Sequence, residues 1–397
     1  MKNKMIKKKK VCMVVGNTFT HDSRVEKEAG SLSRAGYKVV VYALAGAGLP
    51  FAEKRDKFLI RRLPIRNYSS THLKFWRAYT HFYKAIKQLS AENADIYHSH
   101  DADTLLACYL AAKKNGAKLV YDFHEYWGDK TSWRDRFLGR IWERFENKSL
   151  VLFEHLIAPY ADRLITVNDS LAAEFKSGNR IGKRPAVLYN VSPLAIPKAK
   201  DRKLLRGKVK ADEADKLILF IGALSKNRGI ENLVKALDYL DPEFKLAFLG
   251  YGSLANLLKD LSKQKGYRRR VFVLDPVSPR DVVKWASGAD VGVAPIQNAS
   301  WSYFHSSPNK IFEYLMAGLP IACSDFPEMR KIILGNRVGT VFDPEDPKDT
   351  ARAIKRVFSS ESNYRNMKEN SIRAAKEKFN WEIEEQKLIR VYKSLIQ

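Results

Sequence analysis

A chain of 397 residues with 45% hydrophobic side chains is long enough for two domains with full cores and too apolar for extended disorder. Its formal net charge of +26 requires an acidic partner or surface. Three cysteines, Cys12, Cys108 and Cys323, lie far apart in sequence, which excludes a disulfide frame and a zinc cluster and reads as buried free thiols in a reducing cytoplasm.

Taken in chain order, the basic run Lys7 to Lys10 precedes an apolar stretch, Val11 to Val15, that is too short for a signal peptide. The longest nearly uncharged stretch, Val39 to Ala52, contains two glycines and a proline and is too short to span a bilayer. A soluble or peripheral protein is expected. Short β-branched runs alternating with helical periods predict strands over Val11–Val15, Lys38–Tyr42, Phe58–Leu63, Ile96–His98, Lys118–Asp122, Leu164–Val167 and Pro185–Asn190. The first helix is expected over Ser23 to Arg34. A Lys-, Arg- and Pro-rich segment, Val191 to Asp215, shows no clear period and reads as a linker. A second half follows, with strands over Leu217–Ile221, Lys245–Leu249, Arg270–Leu274, Val291–Pro295, Leu319–Ser324 and Val338–Phe342, and closing helices near Ser362–Lys378 and Glu382–Ile396. The pattern predicts two Rossmann-like, doubly wound α/β domains, whose strand C-termini are where such sheets bind ligands.

One region concentrates the charge. Between Phe51 and Ser90 stand ten Lys/Arg against only Glu53 and Asp56, interleaved with Phe51, Phe58, Tyr68, Phe75, Trp76, Tyr79, Phe82 and Tyr83. That composition suits an anionic membrane interface, or a solvated basic face over a packed aromatic helix. Nucleic acid would use the same composition, but it is not an expected partner. Trp133 to Phe145 repeats the theme at helical spacing and reads as core.

The most specific stretch is Ser306 to Pro320. Ser307 suits an N-cap and Pro308 the first helical position, leaving the amides of Asn309, Lys310 and Ile311 free for an anion. Glu313 lies one turn on, at the spacing that suits a ribose beside a bound diphosphate. Gly318 and Pro320 end the helix. This run, Pro308-Asn309-Lys310-Ile311-Phe312-Glu313-Tyr314-Leu315 through Gly318-Leu319-Pro320, resembles the donor-binding segment of retaining glycosyltransferases of family 4, which have the GT-B architecture.

The resemblance implies two Rossmann-like domains facing a central cleft: an acceptor-side domain over residues 1–190, a linker over 191–215, and a nucleotide-sugar domain over 216–378. Residues 379–397 would form a helix crossing back to the first domain. The family frames its segment with two glutamates. Glu313 matches the second, which binds the donor ribose, and His305 stands where the first would be. Ser306, Ser307, Asn309 and Lys310 are the other donor candidates here. After strand Leu217–Ile221 the family shows an Arg just past the first Gly and a Lys before a later Gly, both on the donor diphosphate. Here these positions are Ala223 and Arg228, so one cation is lost, and Lys226 or Lys310 could supply it. Arg228 is otherwise a surface arginine.

Gly250, in Gly250-Tyr251-Gly252, lines the donor site or makes a plain turn. Val277, in Asp275-Pro276-Val277-Ser278, falls where the family's backbone reads the nucleobase. Gly16 and Asn17 occupy the family's first loop, beside the diphosphate and the acceptor. Asp22 is an N-cap or an acceptor contact, and Arg24 contacts an acceptor phosphate or covers the sheet edge. His124 resembles the family's active-site histidine, which touches the transferred sugar; otherwise it is a satisfied polar residue at a strand end.

The cluster His98-Ser99-His100-Asp101-Ala102-Asp103 invites a metal reading or an Asp-x-Asp manganese motif. Two histidines on one face are too few for zinc, and GT-B enzymes need no bound metal, so no metal or other cofactor is expected. The implied reaction moves a hexose or N-acetylhexosamine from a nucleoside-diphosphate sugar to a glycan or lipid-linked acceptor, with retention, in surface-polysaccharide synthesis at the inner face of a bacterial membrane. A nucleotide-sugar epimerase of the same architecture and a non-catalytic nucleotide- or glycan-binding homologue are the alternatives.

Overall fold

The computed structural model describes residues 8–64, 74–126, 148–178 and 182–396, with backbone alone over 74–81. The chain divides into two compact units, one formed by Met1–Leu188 with Glu385–Gln397 and the other by Tyr189–Glu384. Tyr68, the side chains of Phe75, Trp76 and Tyr79, and the segment Trp133 to Phe145 lie outside the described residues.

The first unit is built on eight strands: β1 (Lys10–Val14), β2 (Lys38–Leu44), β3 (Ala52–Arg55), β4 (Phe58–Leu63), β5 (Ile96–His100), β6 (Lys118–Phe123), β7 (Arg163–Thr166) and β8 (Ala186–Val187). Their order is β3-β4-β2-β1-β5-β6-β7-β8, parallel throughout except for β3 against β4. Register is set at the centre, where Val11 faces both Val39 and Ile96. β1 (KVCMV) and β2 (KVVVYAL) are apolar runs without alternation because both faces of a parallel sheet are covered. β3 is not evident in the sequence pattern. It is a charged edge strand, Ala-Glu-Lys-Arg, whose exposed residues protect the sheet margin from further pairing.

The second unit carries six parallel strands: β9 (Lys216–Ile221), β10 (Phe244–Leu249), β11 (Val271–Leu274), β12 (Val291–Ala294), β13 (Ile321–Ser324) and β14 (Gly339–Phe342). They run in the order β11-β10-β9-β12-β13-β14. In each sheet the order reverses beside one strand, β1 in the first and β9 in the second, and sheets of this kind bind ligands at the strand C-termini of that switch point. The loops after β1, β5, β9 and β12 are therefore the places to look for chemistry.

The expected linker over residues 191–215 is not one. It holds a helix, Arg202–Val209, with Leu205 and Val209 buried, and the segment belongs to the second unit. Arg206 pairs with Asp290 at 2.9 Å, and Asp290 also accepts from the Leu217 amide at 2.8 Å. The charges that hid the helical period in sequence are what hold the helix to β9.

The basic region is also less free than its composition suggests. Arg61 pairs with Glu92, while Arg55 and Arg62 share Glu53. All three cysteines are buried and free. Among the described residues, no helix is long and apolar enough to cross a membrane.

Candidate active site

In the second unit the site grows from the loop after β9 and the helix Asn309–Met316. This helix starts one residue later than the sequence predicts. Pro308 is its N-cap, with ψ 139°, so Ser307 precedes the cap. The Ile311 amide donates to the Pro308 carbonyl at 3.0 Å, which leaves Asn309 and Lys310 as the two amides at the open end. Ser306 is drawn back onto the preceding turn, its hydroxyl donating to the Tyr303 carbonyl at 2.8 Å. His305 packs on Trp301 with ring centroids 4.0 Å apart.

Lys310 is only 8% exposed. Its Nζ lies 3.5 Å from the centroid of the Phe220 ring and beside Gly222. Burial and the neighbouring Arg228 charge push its pKa down to about 7, against the opposing pull of Glu313. Thus Arg228, Lys310 and Glu313 form one electrostatic group. Arg228 stacks on Tyr303 at 5.0 Å, and its Nε is buried without a hydrogen-bond partner. Gly229 makes this placement possible: with φ +68°, a Cβ there would lie 1.8 Å from the Pro295 carbonyl oxygen. Gly250 serves a similar fit, since a Cβ would lie 2.0 Å from the Gly222 oxygen, so its closest partner is the β9 loop. Val277 stands half-buried in the loop after β11.

In the first unit the sequence candidates meet at the ends of β5 and β6. Asp122 is fully buried and takes a forked pair of hydrogen bonds from Arg24, Nη2 to Oδ1 at 3.0 Å and Nε to Oδ2 at 3.1 Å. Arg24 also donates to the Leu188 carbonyl at 2.9 Å and lies 3.0 Å from Glu28. It is thus buried and engaged by groups of its own unit. Asp22 caps the helix Ser23–Arg34 through the Val25 amide and accepts from Asn17 Nδ2 at 2.9 Å. Asn17 in turn closes a turn onto the Phe19 amide at 2.7 Å. Gly16 leaves room for the Asp103 carboxylate, which would be 1.8 Å from a Cβ there.

His124 is clamped between two carboxylates. Its Nδ1 is 3.2 Å from Asp101, its Nε2 is 3.0 Å from Asp122, and its amide donates to Asp101 at 2.9 Å. Burial alone would lower the ring's pKa, but the two carboxylates raise it well above the usual histidine range. Burial would likewise raise Asp122, yet the Arg24 and His124 charges hold it well below the carboxylate range. Asp101 occupies the cap position of the next helix without a capping bond and spends its carboxylate on His124. Its φ of +63° and ψ of 169° form a backbone state that non-glycine residues rarely adopt.

Glu28, His98, His100 and Asp122 bring ligand atoms within 4.8 Å of one another. Arg24 already stands among them as the cation facing both carboxylates. His98 is held by the Tyr392 hydroxyl at 2.8 Å and stacks on His100 at 4.2 Å. Burial and the Asp122 charge raise the Glu28 carboxyl to about 7.

Glu28, Tyr303 and Tyr392 were not singled out by sequence reasoning and arrive from distant segments. Asp101 was read only as a member of the cluster His98 to Asp103.

Two family models match the chain, one described as Glycosyltransferase Family 4 over residues 24–192 and one as Glycosyl transferases group 1 over residues 201–374. An uncharacterized glycosyltransferase of Methanocaldococcus jannaschii is 26% identical over 377 residues, which covers 92% of each chain. Among solved structures, sucrose-phosphate synthase from Thermosynechococcus elongatus has TM-score 0.79 at 15% identity, covering 98% of this chain and 99% of that one. Anabaena HepE in complex with UDP-glucose has TM-score 0.70 at 15% identity, covering 97% and 99%. At such identities the likeness establishes the fold. With one glycosyltransferase model on each half, the chain is a family-4-like glycosyltransferase of GT-B architecture.

Proposed function

We propose that this glycosyltransferase moves a hexose or N-acetylhexosamine from a nucleoside-diphosphate sugar to a glycan acceptor with retention of anomeric configuration. The observation that carries the donor class is the buried Lys310 beside Arg228, at the open end of a helix whose next turn presents Glu313. Two cations and two amides suit a diphosphate, and a carboxylate one turn on suits a ribose. The HepE complex with UDP-glucose supports a nucleotide-sugar donor.

Breaking the bond between anomeric carbon and phosphate develops negative charge on the leaving diphosphate. Preorganised donors at that charge lower the barrier, and losing one such donor costs about 2.7–4 kcal/mol where an enzyme stabilises developing oxyanion charge in this way. The helix amides and basic side chains do this without a metal. In this reading the leaving phosphate accepts the proton of the attacking hydroxyl on the face from which it departs, and His124 stands at the sugar.

A lipid-linked acceptor at the inner face of a bacterial membrane, in surface-polysaccharide synthesis, is the outer part of the proposal. It rests on the net charge of +26 and on the exposed Leu152, Phe153 and Leu156 of the helical stretch 148–157.

Thermal shift with UDP-, GDP-, ADP- and dTDP-sugars tests the donor class, with Glu313→Ala alongside. One nucleotide class should stabilise the native chain and lose most of that effect in the variant. No stabilisation by any of them would favour a second reading, a non-catalytic homologue, which Ala223 and His305 in place of the family's Arg and Glu motivate. Donor hydrolysis without acceptor would count against that second reading.

A further inference from the structure

We propose that Lys310 is the relocated second cation of the donor site, binding the diphosphate in place of the side chain that Ala223 lacks, and that it takes up a proton as it does so. The inference rests on the donor reading above and adds how this chain meets the loss at residue 223.

The ammonium lies at the residue before Ala223, in the loop where the family carries its arginine. Ala223 follows Gly222, and a Cβ at Gly222 would lie 3.7 Å from Lys310 Nζ. The lysine therefore reaches from the helix Asn309–Met316 back to the C-terminal end of β9, the strand that carries the loop. Its Nζ lies over Phe220, which is itself fully buried, 3.5 Å from the ring centroid. Among the described residues the ammonium has neither a carboxylate within ion-pair distance nor a hydrogen-bond acceptor; Phe220 is its partner.

A lysine buried to 92% and left in that state is costly unless an anion completes it. Arg228 adds to the demand from the other side, with a buried Nε that also lacks an acceptor. Two incompletely partnered cations at the open end of one helix fit a ligand carrying two adjacent negative charges, and a diphosphate has that chemistry.

Proton uptake follows from the same surroundings. The charges acting on Lys310 are Arg228, from the loop after β9, and Glu313, on its own helix. The strands β12 and β13 and the helices Val282–Ala286 and Glu361–Glu377, which pack on this helix, bring no charged group to bear on it. Burial and Arg228 together hold the empty-site amine near a pKa of about 7, so that above this pH much of it carries no proton. A diphosphate reverses the balance, and the proton comes from solvent. Donor affinity should then fall as pH rises above 7, by at most about tenfold per pH unit for one proton.

The test is titration calorimetry with UDP-glucose, UDP-N-acetylglucosamine, GDP-mannose and ADP-glucose, whose diphosphate diesters have no ionisation near neutrality. It is run at pH 8 in buffers of different ionisation enthalpy. The native chain should bind one of these donors with uptake of a fraction of a proton, read from the dependence of heat on buffer. Lys310→Met keeps an apolar stem and should bind about 10- to 100-fold more weakly, the range for losing a charged hydrogen bond, without proton uptake. Lys310→Met with Ala223→Arg should regain most of the affinity and none of the uptake.

Equal affinity in Lys310→Met, or no buffer dependence in the native chain, overturns the inference and leaves the donor reading standing. A double variant no better than Lys310→Met overturns the relocation. Failure of all four donors to bind the native chain overturns the donor reading, and this inference with it.

Discussion

Asp101 and Asp122 settle what His124 can do. With both ring nitrogens facing carboxylates, the imidazole is held as a cation with no free nitrogen lone pair, and it is suited to fixed positive charge rather than to proton abstraction. Asp101→Asn keeps the acceptor for the His124 amide and removes one charge. NMR titration of His124 should show its midpoint fall toward the ordinary value of about 6.5. The stability consequence has a definite sign. The raised histidine contributes stability that is fully present below its unfolded pKa and lost as pH rises through the folded one. Asp101, held below its usual pKa, contributes above its own unfolded value and is lost on acidification. The gap between native and variant chains should therefore be widest between about pH 4 and 6.5, at about 1.5–3 kcal/mol, and narrow on going alkaline. An unshifted His124 midpoint would show that Asp101 does not set its charge. His124 itself was readable from its place at a strand end in a family pattern. The clamp was not, because Asp101 follows a different strand, β5, and its backbone state is not written in local sequence.

Loops after β9 and β12 must approach closely for Arg228 to lie against Tyr303. Gly229 is the hinge of that approach, and any side chain there meets the Pro295 carbonyl while occupying a left-handed φ of +68°. Gly229→Ala should cost about 1–3 kcal/mol from the backbone state alone. In a unit of this size that lowers the melting temperature by roughly 2–4 °C per kcal/mol. The same variant should lose donor-induced stabilisation, because Arg228 moves with the loop. Differential scanning calorimetry with and without donor reads both effects, and a variant that melts and binds like the native chain would refute this account of the loop. At this scale most strands were evident as uninterrupted apolar runs. The helix Arg202–Val209 was not, since Arg206 is a buried structural residue that looks, in sequence, like linker charge.

The chain passes between the units at Leu188 and Tyr189 and again at Glu384 and Glu385, within the helix Trp381–Lys393. Its Leu388 and Tyr392 are fully buried, and the Tyr392 hydroxyl pairs with His98 on β5. Tyr392→Phe removes that partner and leaves a buried ring nitrogen unsatisfied, at about 1–3 kcal/mol. Hydrogen exchange should show faster opening at β1 and β5 and no change at β9 to β13. Equal effects in both sheets would mean that the units open together. A helix near the end of the sequence was expected to cross back, but which residue it would bring to which strand was not readable.

By itself the sequence determined two α/β halves, the strands at their centres, and a helix start carrying Lys310 and Glu313. These follow from local patterning: runs of apolar residues, caps, and the spacing of side chains along one helix. The tertiary structure alone decided that Arg24 is a buried counter-ion, that His124 is clamped, and that Lys310 lies beside Gly222. Each of these depends on residues from separate segments brought together by sheet order, and on charges whose protonation is set by burial beside one another. Neither quantity exists until the chain has folded.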